Sequence, residues 1–400
     1  MQILPLNINL ILACVLTASA WASESEQLIN LPPSENELRY SLQTKVELHW
    51  PAVHGEAQVC LWGDDKFAPV TVTIDDNNAP DIPFWQDMSK IYGWKFTWFV
   101  IVHPFMWNIL EDKPGSNHTY FGTAESFEVL YEQGHEIELH GSCKAMNNLG
   151  EADYRFYVEQ SIQHLQTEIG NKITAFSYPC GATQHKDTSY RDILAERMVG
   201  ARGTSGGANS LFTIDYMNTK SMGDGQSQNF WDKMEKRQAN LKYSSYRGWA
   251  VLLFHKASKK EVRELFDRLQ ANEDKFWIQP FTVVARYAQE RESSQLVVTR
   301  ADADRIDFTL TDSMDDERYN VPLTIKLRTD GWNKVKAVQD GKLIPARIVN
   351  HDDATYVLVD AVPDRGAVSV LQQWGIATKL LRWFNKLKKW IVTTYSCFLA

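Results

Sequence analysis

Cysteine is scarce in this chain of 400 residues: Cys14, Cys60, Cys143, Cys180 and Cys397 are widely spaced, with no C-x-x-C pair. No disulfide framework can be read from such spacing, although an oxidising compartment would permit a bridge. Positive charge is short as well. Against 50 Asp and Glu there are 42 Lys and Arg, giving a net charge of -8 and a pI near 5.7, which argues against a nucleic-acid partner. A long apolar run is missing: the stretch from Ile3 to Ala20 is interrupted by Asn7 and Asn9, too short and broken for a permanent membrane span. There is no internal repeat, either.

What the chain does have is globular composition, 44% hydrophobic and 23% charged, enough for one large domain and one small one. Aromatics make up 12%, with 14 Trp, which serve either as bulky core or as faces on which sugar rings stack. The apolar N-terminus ends in Ala20-Trp21-Ala22, a small-x-small cleavage site, so residues 1–22 are expected to be an export signal, with the product periplasmic or secreted.

Beyond an N-terminal segment at 23–65, β-branched or apolar runs alternate with helical patterns. Val70–Ile74, Trp94–Val102, Glu136–Leu139, Ile173–Ser177 and Trp249–Phe254 read as strands. Ala124–Gln133, Asp153–Ile169, Ser189–Arg197 and Lys259–Ala271 read as helices, the second stopped by Gly170. This alternation predicts βα units and a parallel sheet or barrel over 66–292. From 295 to 372 short alternating runs separated by Asp-Gly and Arg-Gly turns predict a small all-β domain. Residues 374–393 interleave Lys379, Arg382, Lys386, Lys388 and Lys389 with Trp383, Phe384 and Trp390. They read as a basic amphipathic helix suited to peripheral contact with an anionic membrane, or to packing back on the protein.

Four motifs sit at strand ends. Asp75-Asp76-Asn77 closes a buried strand, and adjacent carboxylates there need a neutralising partner such as a divalent metal. His135 and His140 flank the strand Glu136–Leu139, and a neutral imidazole is a good zinc ligand. Tyr178-Pro179-Cys180-Gly181 turns at the end of a strand, where backbone N–H groups can face an oxyanion. His255 ends the strand Leu252-Leu253-Phe254 and suits a general acid. A fifth pattern, Gly203-Thr204-Ser205-Gly206-Gly207, matches the serine-hydrolase elbow, and Asp215 or Asp224 with His255 would complete a triad. However, no clear strand precedes it and no clear helix follows.

In order and spacing, the first four motifs resemble those of the polysaccharide deacetylases, carbohydrate esterase family 4, from about Val70 to Gln289. The resemblance implies a distorted (β/α) barrel followed by a small all-β sandwich-like domain. It implies a hydrolase that removes acetyl groups from a carbohydrate, N-acetyl before O-acetyl. Asp75 would be the general base, His255 the general acid and Cys180 the oxyanion donor through its N–H. Asp76 and His140 would hold a divalent metal, zinc first, and Tyr178 and Pro179 would line the substrate. The chain departs from the family pattern in three places. Lys144 stands where a second metal-binding His is usual, leaving Cys143, Asn147 or Asn148 as candidates for the third ligand. Asn77 replaces a Gly. Ser177 stands where an Arg often tunes the base, so that partner is expected to be missing. Two rival readings follow: a non-catalytic carbohydrate-binding protein on this scaffold, and a serine hydrolase built on Ser205.

Overall fold

A computed structural model describes residues 50–76, 78–102, 122–211, 213–223, 245–255 and 258–373. The expected signal 1–22, most of the segment 23–65, Asn77, Asp224 and the expected basic helix 374–393 lie outside the described residues. In chain order the first elements are β1 (Ala57–Val59), β2 (Ala68–Asp75), α1 (Ile82–Tyr92), β3 (Thr97–Ile101), α2 (Ala124–Glu132) and β4 (Glu136–His140). Then come α3 (Cys143–Met146), α4 (Glu151–Ile169), β5 (Ala175–Ser177), the small hairpin β6 (Gln184–His185) and β7 (Thr188–Ser189), α5 (Tyr190–Ala195) and β8 (Gly200–Arg202). The barrel part ends with β9 (Ala250–Phe254), α6 (Lys259–Gln270), β10 (Phe276–Ile278) and α7 (Phe281–Ser293).

The strands form one parallel sheet in the order β9-β2-β3-β4-β5-β8, with β10 beside the start of β2. Every residue of β2 and β9 is buried, as parallel strands covered on both faces require. Period-2 alternation separates the faces. Val70, Val72, Ile74, Trp98, Val100, Ile137, Leu139, Phe176 and Ala201 join one apolar cluster with the helices. The intervening residues point inward: Thr73 and Asp75 on β2, Thr97 and Phe99 on β3, Glu136, Glu138 and His140 on β4, Ser177 on β5 and Arg202 on β8. The cylinder is closed by residues 216–222. Their backbone bonds β8 on one side (Ala201 N to Tyr216 O, Thr219 N to Ala201 O) and β9 on the other (Met222 N to Val251 O, Leu253 N to Met222 O).

The N-terminal end of the cylinder is plugged by the start of α7. Phe281 meets Phe99 and Trp249, its N–H donates to Thr97 Oγ1, and a Cβ at Gly200 would lie 2.9 Å from its ring. Glu136 accepts from Thr97 and from both the N–H and hydroxyl of Thr282. With that end sealed, only the C-terminal end of the strands remains for chemistry.

The all-β domain follows as β11 (Gln295–Asp302), β12 (Arg305–Thr311), β13 (Leu323–Arg328), β14 (Val335–Gln339), β15 (Lys342–Ile344), β16 (Ala346–His351), β17 (Ala354–Ala361) and β18 (Val368–Gln372). They make two antiparallel sheets, β1-β13-β17-β16 and β11-β12-β18-β14-β15. Strand β1, which precedes the barrel in sequence, thus pairs with β13 far downstream. Burial alternates along β12 and β18, the signature of a sheet with one covered face. The turn after β1 ties the sandwich to the barrel: Tyr287 donates to Cys60 O, Arg291 to Leu61 O and Trp62 Nε1 to Arg247 O. The fold is therefore the distorted (β/α) barrel with an antiparallel β domain that the sequence predicts.

Candidate active site

Three strand ends deliver the four groups of the site. β2 ends at Asp75, whose side chain is inward and 2% exposed. Asp76, the next residue, adopts φ 68°, a left-handed turn that Asp tolerates, and its carboxylate stays 48% exposed at the mouth. His140 ends β4 and His255 follows β9. These four groups, 180 residues apart in sequence, converge. His140 Nε2 lies 3.4 Å from Asp75 Oδ2 and 3.7 Å from Asp76 Oδ1. His255 Nε2 lies 4.0 Å from Asp75 Oδ2 and 3.8 Å from Asp76 Oδ2.

The partner expected to be missing from Asp75 is present. Arg202, 1% exposed, donates through Nη2 to both Asp75 Oδ2 and Ser177 Oγ and lies over the Phe99 ring. Ser177 and Arg202 are register partners across the β5–β8 ladder, so a guanidinium based on β8 reaches over the small serine to the carboxylate. Burial pushes the Asp75 carboxyl up, but Arg202, His140 and His255 outweigh it and hold the acid below its ordinary range. Asp75 is thus kept as a carboxylate inside the barrel. Its other oxygen, Oδ1, is buried and accepts no hydrogen bond from any described residue. An ionised oxygen that the protein leaves unshared has the character of a general base.

His140 is oriented by its second nitrogen. Nδ1 lies 3.1 Å from Ser177 O, and because a carbonyl only accepts, Nδ1 carries the proton. Nε2 then faces both carboxylates, Asp75 Oδ2 nearer than Asp76 Oδ1. An imidazole fixed by a backbone carbonyl with its free nitrogen beside a carboxylate is a donor set that fits a divalent cation. Among the described residues no three His, Cys, Asp or Glu side chains are arranged to hold a metal together.

Three other sequence expectations change. Cys143 is not available as a thiolate ligand, because its sulfur is bonded to Cys180. Tyr178 and Pro179 do not line the substrate. Tyr178 is 1% exposed with its hydroxyl donating to Met217 O, and Pro179 is packed against Gly141, where a Cβ would meet the proline ring at 2.7 Å. The serine-hydrolase triad with Asp215 as its acid is not formed among the described residues. Ser205 lies in a loop that leads to the closing segment rather than to a helix, and Asp215 pairs with Arg191. Asn147 Oδ1 is buried without a partner and Asn148 is exposed, both just past α3. His135 is buried at the far end of β4 and accepts from Phe96 N, away from the site. Cys180 has φ 53° in the turn that follows β5.

Comparison with known proteins gives the geometry a family. The chain is 32% identical over 386 residues to a gellan lyase of Bacillus sp., a match covering 88% of this chain but only 15% of that protein. A peptidoglycan N-acetylglucosamine deacetylase catalytic domain from Eubacterium rectale superposes over 54% of this chain and 89% of its own, at 15% identity and TM-score 0.36. The CE4 domain of a multidomain xylanase from the hindgut metagenome of Trinervitermes trinervoides covers 53% and 87%, at 15% identity and TM-score 0.33. Residues 63–196, which carry Asp75, Asp76, His140 and the Cys180 turn, match the polysaccharide deacetylase family.

Proposed function

We propose that this protein hydrolyses acetyl groups from a carbohydrate, with an N-acetylated sugar as the substrate. The observation that carries the reading is the convergence of Asp75, Asp76, His140 and His255 at the one open end of the barrel, with Arg202 holding Asp75 ionised. Asp75 Oδ1 takes the proton from the attacking water. His255, 41% exposed at the mouth, sits where a leaving amine or alkoxide would depart and protonates it. The Cys180 N–H donates to the tetrahedral oxyanion. Asp76 and His140 would hold a divalent metal, zinc by the mixed carboxylate–imidazole donor set. When bound, it would polarise the acyl oxygen and acidify water. Export through residues 1–22 and membrane contact through residues 374–393 complete the proposal.

The test is acetate release from chitin oligomers and from an O-acetylated xylan by purified protein supplied with zinc. Asp75→Asn and His255→Ala are each expected to lower kcat by ~10²–10⁴-fold. Full activity after either change would refute the mechanism. The two-member donor set supports a second reading, a carbohydrate binder without turnover. Glycan binding with no acetate released, in protein that takes up no zinc, would select it.

A further inference from the structure

Among the described residues the only disulfide, Cys143–Cys180, lies beside the site rather than within the core. Cys143 is three residues past His140 and Cys180 three past Ser177, so the bond ties together the loops that leave two adjacent strand ends. Those strand ends already share the bonds that set the site: His140 Nδ1–H and Gly141 N–H both donate to Ser177 O. Both cysteines are exposed, whereas Cys60 is fully buried.

Each loop is anchored at one end, through buried Met146 and buried Tyr178, and carries few hydrogen bonds at its cysteine. α3 has four residues, and the Ser142 side chain makes no capping bond to it. The turn Pro179–Gly181 is held by its own local bonds, Gly181 N to Tyr178 O and Ala182 N to Pro179 O. Cys180 holds a left-handed conformation that costs a residue with a Cβ energy. Tyr190 steadies the far end of the first loop by donating to Met146 O and Leu149 O. Pro179 packs against Gly141 beside Met146, and the disulfide adds the one covalent tie between the turn and α3. Segments with so few anchors open locally once a constraint is removed.

We propose that Cys143–Cys180 is a redox latch on the site, opened by a dithiol reductant. The reductant's thiolate attacks one sulfur of the bridge, and the other departs as a thiolate that takes up a proton. The second reductant thiol then closes the mixed disulfide, so the reductant is oxidised and both cysteines leave as thiols. Opening frees the turn that presents the Cys180 N–H, and loosens the His140–Ser177 contact. Displacing a positioned group by about 1 Å is expected to cost up to ~10²-fold in rate. The consequence for turnover rests on the deacetylase reading; the loosening does not.

The experiment treats the full-length protein with a phosphine reductant, which does not compete for zinc as a dithiol would. Opening of the bridge is verified by alkylation of Cys143 and Cys180. Hydrogen exchange is then read at residues 141–146 and 177–182. The latch predicts faster exchange there with the barrel strands unchanged, and reversal on reoxidation. It also predicts a kcat at least tenfold lower with KM within about twofold. The C143S/C180S variant should match the reduced wild type and ignore the reductant. Unchanged exchange in protein with both thiols alkylated would overturn the latch, whether or not the protein turns over. Faster exchange with undiminished kcat in an active preparation would remove its effect on the site. An oxidised protein that releases no acetate, yet shows the exchange response, would defeat the deacetylase reading and leave the latch standing.

Discussion

Replacing Arg202 by Met keeps an unbranched apolar stem and removes the guanidinium with its charge. The pair it breaks is fully interior: Arg202 is 1% exposed and Asp75 2%, and the guanidinium also satisfies Ser177 Oγ. Losing one partner of such a pair leaves an uncompensated buried charge and costs about 3–5 kcal/mol. Its pH dependence gives the test. In the wild type, the folded-state acid of Asp75 lies below its ordinary value. Its contribution to stability is therefore present above the unfolded-state value and lost as pH falls through the folded one. Without Arg202, burial, already the largest influence on this carboxyl, pushes it upward, and the sign reverses. The stability gap between R202M and wild type should be widest at neutral pH and narrow toward about pH 4, as thermal or urea unfolding would measure. The acid limb of kcat/KM should move to higher pH, activity falling about tenfold per pH unit below it. Because Ser177 and Arg202 are register partners, the double variant S177R/R202S should recover part of the loss. A gap that does not change with pH, together with an unmoved acid limb, would refute the assignment of Arg202 as the partner of the base.

Glu290 is fully buried and accepts the Val321 N–H on both oxygens, and burial pushes its acid from 4.5 up to about 8. A raised carboxyl contributes stability that is full below its unfolded value and lost as pH rises through the folded one. Wild type should therefore lose stability relative to E290Q between about pH 4.5 and 8, and parallel unfolding curves for the two across that window would contradict it. His140→Ala and Asp76→Asn should each reduce bound zinc, by elemental analysis, about tenfold or more at fixed free metal. Undiminished zinc in both variants would place the metal elsewhere.

Asp75, His140 and His255 were legible because each is a polar residue closing an apolar β run, and in a βα barrel such positions fall on one rim. The antiparallel domain was legible from alternation and from turns such as Asp340-Gly341, where φ is 47° and 72°. Arg202 was not, since it ends a strand of only three residues in the mixed stretch Ala195–Arg202, and nothing local marks it as buried. Tyr178 and Pro179 misled for the opposite reason. An aromatic beside a strand end reads as a sugar platform, but here the tyrosine ring packs edge-on to Phe176 and its hydroxyl is spent on Met217 O. The Cys143–Cys180 pairing needed the parallel adjacency of β4 and β5, a contact across 37 residues that cysteine spacing does not encode.

The displaced arginine shows why such a site tolerates change in its sequence pattern. Inward positions at the same height on neighbouring parallel strands lie only about 4.8 Å apart, well within the reach of a guanidinium. Ser177 and Arg202 occupy two such positions, with Asp75 across the interior from both. What the base requires is a cation at Asp75 Oδ2, and either strand can supply its stem provided the other carries a residue small enough to let it pass. Serine meets that condition and also gives the guanidinium an acceptor in Oγ. The position at which the motif looks degraded is compensated on the next strand of the barrel, where a reading along the chain does not look for it.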